Sequence, residues 1–449
     1  MRGYKSSALA HNRSIMLRRD FFIGALATAL PLSVRAQLAP AGEPGPLGLQ
    51  DLLPPASLDP VFEAWRTGFI TRAEAAGWPK DLLDRELGGL TPEPKVLGLD
   101  NRQPELSKPI SDYVRKAVSQ DRIMAGQAKL NSLMIWSMLE ARFGVPREIL
   151  IGIWGMETGY GAVMGNYDVI RAMATLAAQG RRQAWAEAQI YSALRILANG
   201  QIRRDQLKGS WAGAMGQTQF LPETYLTSAV DFDGDGSKDI WGSVGDALGS
   251  AANLLVKGGW RRDEPWAREV ILRPGFDYGL AEGPLQSPLV WRQYGAQPAN
   301  AMDWSGPEAH LPASLILPCG WSGPAFLVFA NHMAIRTYNN STAYALGIGL
   351  LADAVAGRPG LVTAWPDERA LSLNDRQKAQ SLLRQLGYDT GGLDGVIGLK
   401  TRKALRQWQA SMGRPADGYL TPDIILALEA ATWGMVPQPS QPPLSWPSP

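Results

Sequence analysis

Apolar residues recur at helical spacing along most of the chain after residue 60, so the sequence predicts a mostly α fold. Residues 113–143 form one long amphipathic helical pattern, and residues 171–197 form a second. Between residues 262 and 325 the pattern differs, because short apolar runs alternate with proline and glycine. Three of these runs predict strands or loops that close a cleft: 270–272, 289–291 and 315–317.

The stretch 149–168 changes from apolar to glycine-rich in its middle. Its first half predicts a buried helix, and three glycines then stop that helix and allow a ligand to approach the backbone. Glu157 lies at the junction, where we expect burial to raise its pKa above the usual value of about 4.3. Such a carboxyl group suits a general acid that works near neutral pH. The alternative is a structural glutamate that caps the helix or forms a salt bridge.

A second chemical stretch covers residues 209–225. Small residues leave its backbone uncovered, and Gln217 and Gln219 add neutral hydrogen-bonding side chains. Phe220 and Tyr225 supply aromatic faces, so the stretch suits an uncharged, polyhydroxylated ligand such as a sugar chain. Tight helix packing is the alternative explanation for the small residues.

An aspartate-rich segment, 231–239, has the spacing of a calcium-binding loop. Its twelfth position is Gly242, where a bidentate glutamate belongs, and Asp246 could replace that ligand if the chain folds back. We therefore expect a weak structural calcium site, with an Asp/Gly turn held by local side-chain bonds as the alternative. The candidate ligands are Asp231, Asp233, Asp235, Ser237, Asp239 and Asp246.

Length and charge narrow the class of protein. A chain of 449 residues is too long for one compact core, so two or more domains are expected. Residues 1–36 carry six basic residues and one acidic residue, and removing them changes the formal net charge from +2 to −3. A slightly acidic protein is not built to bind nucleic acid. The single cysteine, Cys319, excludes an internal disulfide and suits a packed core position, and we interpret His310 and His332 as surface or packing residues.

The first 36 residues have the features of an export signal. Arg18 and Arg19 precede an apolar run at 23–32, and small residues precede a cleavage point after Ala36. The paired arginines predict a twin-arginine signal, with a general secretory signal as the alternative. Residues 37–58 read as a linker, and nothing later in the sequence is long and apolar enough to span a membrane. We expect a soluble periplasmic protein.

A different unit follows a second predicted linker at 358–369. Residues 370–431 contain Asp-Gly turns that are each followed by a helix, for which Thr401 and Thr421 are the expected N-caps. This pattern predicts a small three-helix module. Residues 432–449 are rich in proline and serine and are expected to be disordered.

Several motifs, in this order, resemble the lytic murein transglycosylase B family: 156–161 (METGYG), 163–165 (VMG), 212–216 (AGAMG), 219–222 (QFLP) and 336–341 (RTYNNS). The resemblance implies a lysozyme-like catalytic domain over residues 59–357, with Glu157 as the sole catalytic acid and base. Position 217 departs from the pattern, because some relatives carry an aromatic residue there. The implied glycan cleft is lined by Gly213, Met215, Gln217, Gln219, Tyr338 and Tyr344.

The predicted three-helix module resembles a type 1 peptidoglycan-binding domain. The matching motifs are 386–388 (LGY), 394–401 (DGVIGLKT) and the pair Trp408 and Gln409, where phenylalanine is usual at the first position. The resemblance implies tethering to the wall, which raises the local substrate concentration. A helical appendage without a ligand is the alternative. The expected partners are peptidoglycan glycan strands and the wall, with other wall enzymes as a further candidate class.

The reaction implied by the family cleaves the bond between N-acetylmuramic acid and N-acetylglucosamine. Glu157 protonates the bridging oxygen; the sugar's own 6-hydroxyl then attacks the anomeric carbon and gives its proton to Glu157, which leaves a 1,6-anhydro end. A hydrolytic muramidase is the nearest alternative, and it needs a second carboxylate, for which Asp168 is the nearest candidate. The second alternative is a scaffold protein that binds the wall without enzymatic activity. No cofactor is required beyond the candidate calcium ion.

Overall fold

The computed structural model describes residues 60–100, 109–300 and 303–434. The predicted export signal, the linker at 37–58 and most of the predicted disordered tail lie outside these residues. The chain divides into two compact units, and neither is continuous in sequence. The first unit contains the described residues 109–156, 251–300 and 303–434, and the second contains 60–100 and 157–250.

The described residues are mostly helical, which confirms the predicted fold class. None of their helices combines the length and the apolar character needed to cross a membrane. The helices are α1 (Pro60–Ala75), α2 (Lys80–Leu87), α3 (Pro94–Asp100), α4 (Ile110–Ala117), α5 (Gln120–Ser132), α6 (Trp136–Phe143), α7 (Arg147–Thr158), α8 (Val169–Ala178), α9 (Gln183–Ala198), α10 (Pro222–Ser228), α11 (Val244–Lys257), α12 (Pro288–Tyr294), α13 (Ala330–Tyr338), α14 (Thr342–Val355), α15 (Leu373–Gln385), α16 (Leu399–Ser411) and α17 (Pro422–Thr432). The strands are β1 (Tyr167–Asp168), β2 (Lys208–Gly209), β3 (Ala267–Leu272), β4 (Ala296–Pro298), β5 (Ser314–Ile316), β6 (Pro318–Trp321) and β7 (Ala325–Val328).

The two long helical patterns predicted from the sequence are both interrupted. The pattern at 113–143 is divided among α4, α5 and α6, because Val118 leaves the helical region with φ −102° and ψ 40° and Leu133 is extended with φ −106° and ψ 135°. The apolar spacing continues across both breaks, so periodicity alone did not reveal them. Met134 is 89% exposed and therefore lies outside any buried face. The pattern at 171–197 is likewise divided into α8 and α9.

A four-stranded antiparallel sheet in the first unit has the strand order β4–β3–β7–β5. Strands at 270–272 and 315–316 agree with the sequence prediction. The prediction for 289–291 is wrong, because these residues lie in α12, which the Ser287 side chain caps. Trp291 of that helix is fully buried beside the sheet, and its Nε1 donates to a backbone carbonyl at 2.9 Å.

Helices α15, α16 and α17 form the predicted three-helix module, which belongs to the first unit. Leu405 and Trp408 lie in its buried core. Thr421 is the N-cap of α17, as predicted, and its side chain accepts a backbone N–H bond. The prediction for Thr401 is wrong, because Gly398 is the N-cap of α16. Thr401 lies inside that helix, where its buried hydroxyl donates to a backbone carbonyl at 3.3 Å.

Polar contacts bind this module to the rest of the first unit. Glu282 accepts hydrogen bonds from Arg402 Nε and Arg406 Nη2, both at 3.0 Å. The Asp417 carboxylate accepts the backbone N–H of Trp321 at 2.9 Å. Since these bonds join side chains of the module to the segment before it, the module has a fixed position within its unit.

The predicted linker at 358–369 also lies against the first unit. The two carboxylate oxygens of Glu269 accept the backbone N–H groups of Val362 and Thr363 at 2.8 and 2.7 Å. Arg115 Nη2 donates to two further backbone carbonyls of the segment at 3.1 and 3.0 Å. Specific contacts therefore hold this connection along its length.

Glu368 lies at the end of the same connection and joins three parts of the first unit. It accepts hydrogen bonds from Ser111 Oγ at 3.0 Å, Cys319 Sγ at 3.3 Å and Tyr419 OH at 2.5 Å. Cys319 is 2% exposed, so its predicted core position is confirmed. Burial raises the pKa of its thiol, which makes the thiolate scarce and the residue unreactive.

The two histidines with predicted surface or packing positions lie in the first unit. His310 is exposed, and His332 is almost fully buried with its ring stacked on Trp266 at 6.4 Å between centroids. Burial, with a smaller effect from Arg336, lowers the pKa of His332 to about 3. His332 is therefore a neutral packing residue at physiological pH.

The second unit is built around α8 and α9, which pack against each other. All residues of 169–177 in α8 except Arg171 are buried, and α1 packs against this helix. The Trp65 Nε1 group donates to the Glu187 carboxylate at 2.9 Å, which joins α1 to α9 across 122 residues of sequence. The unit therefore depends on contacts between distant parts of the chain.

Candidate active site

Helix α7 carries the candidate catalytic acid. Its first residue, Arg147, donates through both its backbone and its guanidinium to Glu140 at 2.9–3.0 Å, which fixes the start of the helix. Glu157 is half-buried and lies one residue before the end of the helix, and the boundary between the two units falls between Met156 and Glu157. The raised pKa expected for Glu157 stays a prediction. The predicted buried helix is confirmed by its buried apolar side chains, Ile149, Leu150, Ile153 and Trp154.

A left-handed turn follows the helix. Gly159, Tyr160 and Gly161 have φ values of +58°, +64° and +84°. Tyr160 is 7% exposed, and a bulky side chain rarely adopts this conformation because its Cβ crowds the backbone. The backbone N–H of Gly161 donates to Thr158 Oγ1 at 3.0 Å, which closes the turn from its inner side. The chain therefore changes direction immediately after Glu157.

Two glycines allow this region to approach the neighbouring loop, 209–221. A Cβ atom at Gly165 would lie 2.3 Å from the backbone oxygen of Gly209, and φ at Gly165 is +86°. A Cβ atom at Gly209 would in turn lie 2.2 Å from the Ala214 oxygen. Strands β1 and β2 pair at this point, with Tyr167 opposite Gly209. Three backbone segments thus stack in a space that admits no side chain.

The loop itself is closed by its own backbone. Met215 and Phe220 exchange two N–H···O bonds at 2.8 and 2.9 Å, and both side chains are buried. Gly213 is also buried, with φ +81°, and a Cβ atom there would lie 2.8 Å from the Met173 methyl carbon. Gly213 and Met215 therefore belong to the packed base of the loop.

The two glutamines of the loop are held by backbone groups. Gln217 is 5% exposed, and its side-chain amide donates to the Trp241 carbonyl at 3.1 Å. Gln219 is half-buried with φ +51°, and its amide donates to Met164 and Gly216 carbonyls at 3.1 and 3.0 Å. Gln219 is thus the most accessible of the predicted cleft residues on this loop, and it also contacts the segment that follows Glu157.

Thr158 and Ser210 also hold this region together, although the sequence analysis assigned them no role. Thr158 Oγ1 donates to the Gln217 carbonyl at 2.6 Å, and it is 2% exposed. Ser210 Oγ accepts the Ala214 N–H at 3.1 Å and so fixes the start of the small-residue loop. The only signal in the sequence is the presence of a hydroxyl residue in or near each motif, which is common in loops for other reasons.

The two predicted cleft tyrosines belong to the first unit. Tyr338 ends α13 and Tyr344 lies in the first turn of α14, and their rings are stacked with centroids 6.3 Å apart and an interplanar angle of 18°. Ser341 caps α14 by accepting the Tyr344 N–H. Tyr344 is 3% exposed, whereas Tyr338 is half-buried and presents the more accessible aromatic face.

Asp168, the nearest candidate for a second catalytic acid, has both carboxylate oxygens engaged. Its Oδ1 accepts the Arg171 N–H at 2.8 Å and so caps α8. Its Oδ2 forms an ion pair with Arg204 Nη1 at 2.7 Å. A carboxylate that is held as a helix cap and an ion pair is poorly suited to activate water or to attack an anomeric carbon.

The aspartate-rich segment brings together three of its six predicted ligands. Asp231, Asp233 and Asp246 each offer a carboxylate oxygen, and these oxygens lie within 4.8 Å of one another. Asp246 is fully buried and accepts three backbone N–H bonds, yet burial still raises its pKa. The chain does fold back to Asp246, and a cluster of hard oxygen donors suits calcium.

Two of the other predicted ligands, Asp235 and Asp239, accept local backbone N–H groups. Asp235 accepts the Ser237 N–H at 2.8 Å. Asp239 accepts the N–H groups of Trp241 and Gly242 at 3.0 and 2.8 Å. These bonds form the Asp/Gly turn that the sequence offered as the alternative, so the segment contains both an oxygen cluster and a hydrogen-bonded turn.

Comparison with known families gives two matches along the chain. Residues 61–353 match the family described as the transglycosylase SLT domain, and residues 372–428 match the peptidoglycan binding domain family. Among curated proteins, the membrane-bound lytic murein transglycosylase B of Escherichia coli (strain K12) is 33% identical over 275 residues. The aligned residues cover 58% of this chain and 73% of that protein.

Solved structures of lytic transglycosylases are similar to this chain. SltB3 from Pseudomonas aeruginosa, in complex with NAG-anhNAM-pentapeptide, has a TM-score of 0.79 and 46% identity, and the match covers 82% of this chain and 99% of that chain. The Escherichia coli lytic transglycosylase Slt35, in complex with calcium, has a TM-score of 0.56 and 30% identity, and the match covers 65% of this chain and 92% of that chain.

Proposed function

Because the chain belongs to the transglycosylase SLT domain family and is a peptidoglycan lytic transglycosylase, we propose that Glu157 is its single general acid and base and that its products carry 1,6-anhydro-N-acetylmuramic acid ends. The family resemblance of the sequence motifs and the lysozyme-like fold class are confirmed. The observation that carries the proposal is the engagement of both Asp168 oxygens, which removes the nearest candidate for the second carboxylate that hydrolysis needs. The anhydro sugar named in the SltB3 complex supports the same product chemistry.

The proposed reaction uses one carboxyl group twice. Glu157 first protonates the oxygen between N-acetylmuramic acid and N-acetylglucosamine, and the bond breaks through an oxocarbenium-like state. The 6-hydroxyl of the N-acetylmuramic acid ring then attacks its own anomeric carbon, and the Glu157 carboxylate accepts the hydroxyl proton. Water takes no part, so the product is lighter than a hydrolysis product by one water molecule.

The test is the mass of soluble fragments released from purified sacculi. Wild type is expected to release anhydro-muropeptides, and Glu157→Gln is expected to lower the rate by about 10²–10⁴-fold, the usual contribution of a general acid. Glu148→Gln is the matched control, because it makes the same substitution at the other end of α7. Fragments heavier by one water would contradict the anhydro product, and an active Glu157→Gln variant would contradict the role of Glu157.

We further propose that the three-helix module presents an apolar face to the wall. Leu393, Val396 and Leu399 surround its first Asp-Gly turn and are 44%, 65% and 68% exposed. Leu399→Asp in a Glu157→Gln background is expected to reduce cosedimentation with sacculi. Leu426→Asp is the control, because Leu426 is 63% exposed on another helix of the module. Equal binding by both variants would contradict this face.

We propose a structural calcium ion held by Asp231, Asp233 and Asp246. The ion would offset the repulsion among three carboxylates and favour the charged form of the buried Asp246. Isothermal titration with calcium chloride is expected to give weak, saturable uptake that Asp233→Asn abolishes. Asp235→Asn is the control, because Asp235 lies in the same loop but outside the oxygen cluster. Absence of uptake at millimolar calcium would overturn the site.

We propose that the protein is exported to the periplasm through a twin-arginine signal, since its substrate is the wall. N-terminal sequencing of the mature protein is expected to start at Gln37. Replacement of Arg18 and Arg19 by lysine is expected to leave the precursor in the cytoplasm. A mature protein with its signal removed in spite of this replacement would indicate the general secretory route instead.

A further inference from the structure

We propose that Thr158 is a positioning residue for the reaction, and that its hydroxyl fixes the Glu157 carboxyl group relative to the loop 209–221, which carries Gln217 and Gln219 and is called the glutamine loop below. The inference rests on the proposed role of Glu157. Thr158 follows Glu157 directly and is the last residue of α7. Any movement of the backbone at Thr158 therefore moves the carboxyl group beside it.

The Thr158 hydroxyl bridges two segments by serving as donor and acceptor at once. Oγ1 donates to the Gln217 carbonyl at 2.6 Å and accepts the Gly161 N–H at 3.0 Å. The side chain is 2% exposed, so water cannot easily replace either bond. One hydroxyl thus connects the end of the catalytic helix, the turn after it and the glutamine loop.

A bridge is needed at this point because the turn it closes is a strained one. Three consecutive residues, 159–161, have positive φ, and Tyr160 among them is not glycine. Such conformations persist where the surrounding structure over-determines them, and they concentrate at functional sites. Gln219 supplies a second bond on the far side of the turn, from its amide to the Met164 carbonyl at 3.1 Å. Thr158 and Gln219 together hold the turn at both ends.

The expected effect is on the chemical step more than on substrate binding. Thr158 contacts Gln217 through a backbone carbonyl, so its loss leaves the chemical groups of the loop unchanged. Displacement of a reacting group by about 1 Å can lower the rate by about 10²-fold. Thr158→Val keeps the shape and removes both hydrogen bonds, whereas Thr158→Ser keeps the hydroxyl and removes only a methyl group.

The second unit provides a matched control residue. Thr175 is 1% exposed, its Oγ1 donates to the Arg171 carbonyl at 2.8 Å, and it accepts the Glu93 N–H at 2.9 Å. Thr175→Val therefore removes the same two kinds of hydrogen bond from an equally buried threonine of the same unit. Neither of these two hydrogen bonds of Thr175 involves the turn after Glu157. Thr175→Val therefore reports only what the substitution costs in stability.

The experiment measures kcat, KM and thermal midpoint on soluble, uncrosslinked glycan strands for wild type, Thr158→Val, Thr158→Ser and Thr175→Val. We expect Thr158→Val to lower kcat by about 10- to 100-fold with KM changed by less than about threefold. We expect Thr158→Ser to retain kcat within about threefold of wild type, and Thr175→Val to lower the thermal midpoint as much as Thr158→Val while leaving kcat unchanged.

Three results would overturn the inference: equal kcat for Thr158→Val and wild type, equal loss of kcat in Thr158→Val and Thr175→Val, or no rescue by Thr158→Ser. Glu157→Gln is measured in the same assay. If that variant is active, the proposed function fails; if it is inactive while Thr158→Val is fully active, only the positioning role fails.

Discussion

Substitution of Gly165 by alanine tests whether the stacked backbones beside Glu157 require a residue without a side chain. The new Cβ would lie 2.3 Å from the Gly209 oxygen, so the two segments must separate by most of an ångström. Left-handed φ costs a non-glycine residue about 1–2 kcal/mol. Forcing packed atoms apart adds about 1–3 kcal/mol. The free energy of unfolding of the second unit should therefore fall by about 2–5 kcal/mol in total.

Gly159→Ala is the control, because it isolates the conformational part of this cost. Gly159 also has positive φ, at +58°, but a Cβ there meets no atom within 4 Å. Its substitution should cost only about 1–2 kcal/mol. Thermal unfolding and release of soluble muropeptides are measured for both variants.

The test compares the unfolding temperature and the activity of the two variants. We expect Gly165→Ala to unfold at a clearly lower temperature and to lose activity by about 10²-fold at a temperature where it is still folded, because β1 and the turn after Glu157 shift together. If Gly165→Ala and Gly159→Ala unfold together and retain equal activity, the close approach of Gly165 to Gly209 does not constrain the site.

Three further predictions follow from charged groups. The calcium-induced rise in thermal midpoint should shrink as pH falls towards the raised pKa of Asp246, and Asp246→Asn should abolish it; an unchanged rise would contradict the ligand assignment. Glu282→Ala removes bonds to Arg402 and Arg406, each worth about 1 kcal/mol, and should speed limited proteolysis of the connection before the module; unchanged cleavage would contradict the docking role. His332 has its pKa lowered to about 3 from about 6.5 in the unfolded chain, so it destabilises the fold as pH falls below 6.5, by about 2 kcal/mol at pH 5. His332→Leu should remove this part of the loss of stability at acid pH. If the free energy of unfolding of wild type and His332→Leu falls equally with pH, the role of His332 is contradicted.

The chemical motifs were predictable from the sequence because their signals are local. The end of α7 is predicted by an apolar helical pattern that is followed by an acid and several glycines. The N-cap of α17 is predicted by a threonine that precedes a proline. The breaks in 113–143 carry weaker signals. Ser119 lies at the N-cap position of α5 but makes no side-chain cap hydrogen bond, and Leu133 at the second break is an ordinary apolar residue. Periodicity survives a break whenever both helices face the same core.

The contacts that position the site were less predictable, because they join residues far apart in sequence. Thr158 meets a backbone carbonyl 59 residues away, and a backbone oxygen has no sequence signature. The predicted calcium ligand Asp239 illustrates the same limit, since its Oδ1 accepts two N–H groups of the following turn. A spacing rule assigns ligands by their position in the chain, whereas the fold decides which carboxylate oxygens come together.

The discontinuity of the second unit has a consequence for how the chain is made. The ribosome completes α1 long before Glu187, the partner of Trp65, which lies 122 residues later. At about 5–20 residues per second, α1 exists for several seconds before α9, which helps to cover it, is made. Phe62, Trp65 and Phe69 are nearly fully buried in the finished unit, so we expect them to bind chaperones in the nascent chain. Slowing synthesis between residues 75 and 187 should therefore lengthen chaperone occupancy of α1 and lower the yield of folded protein.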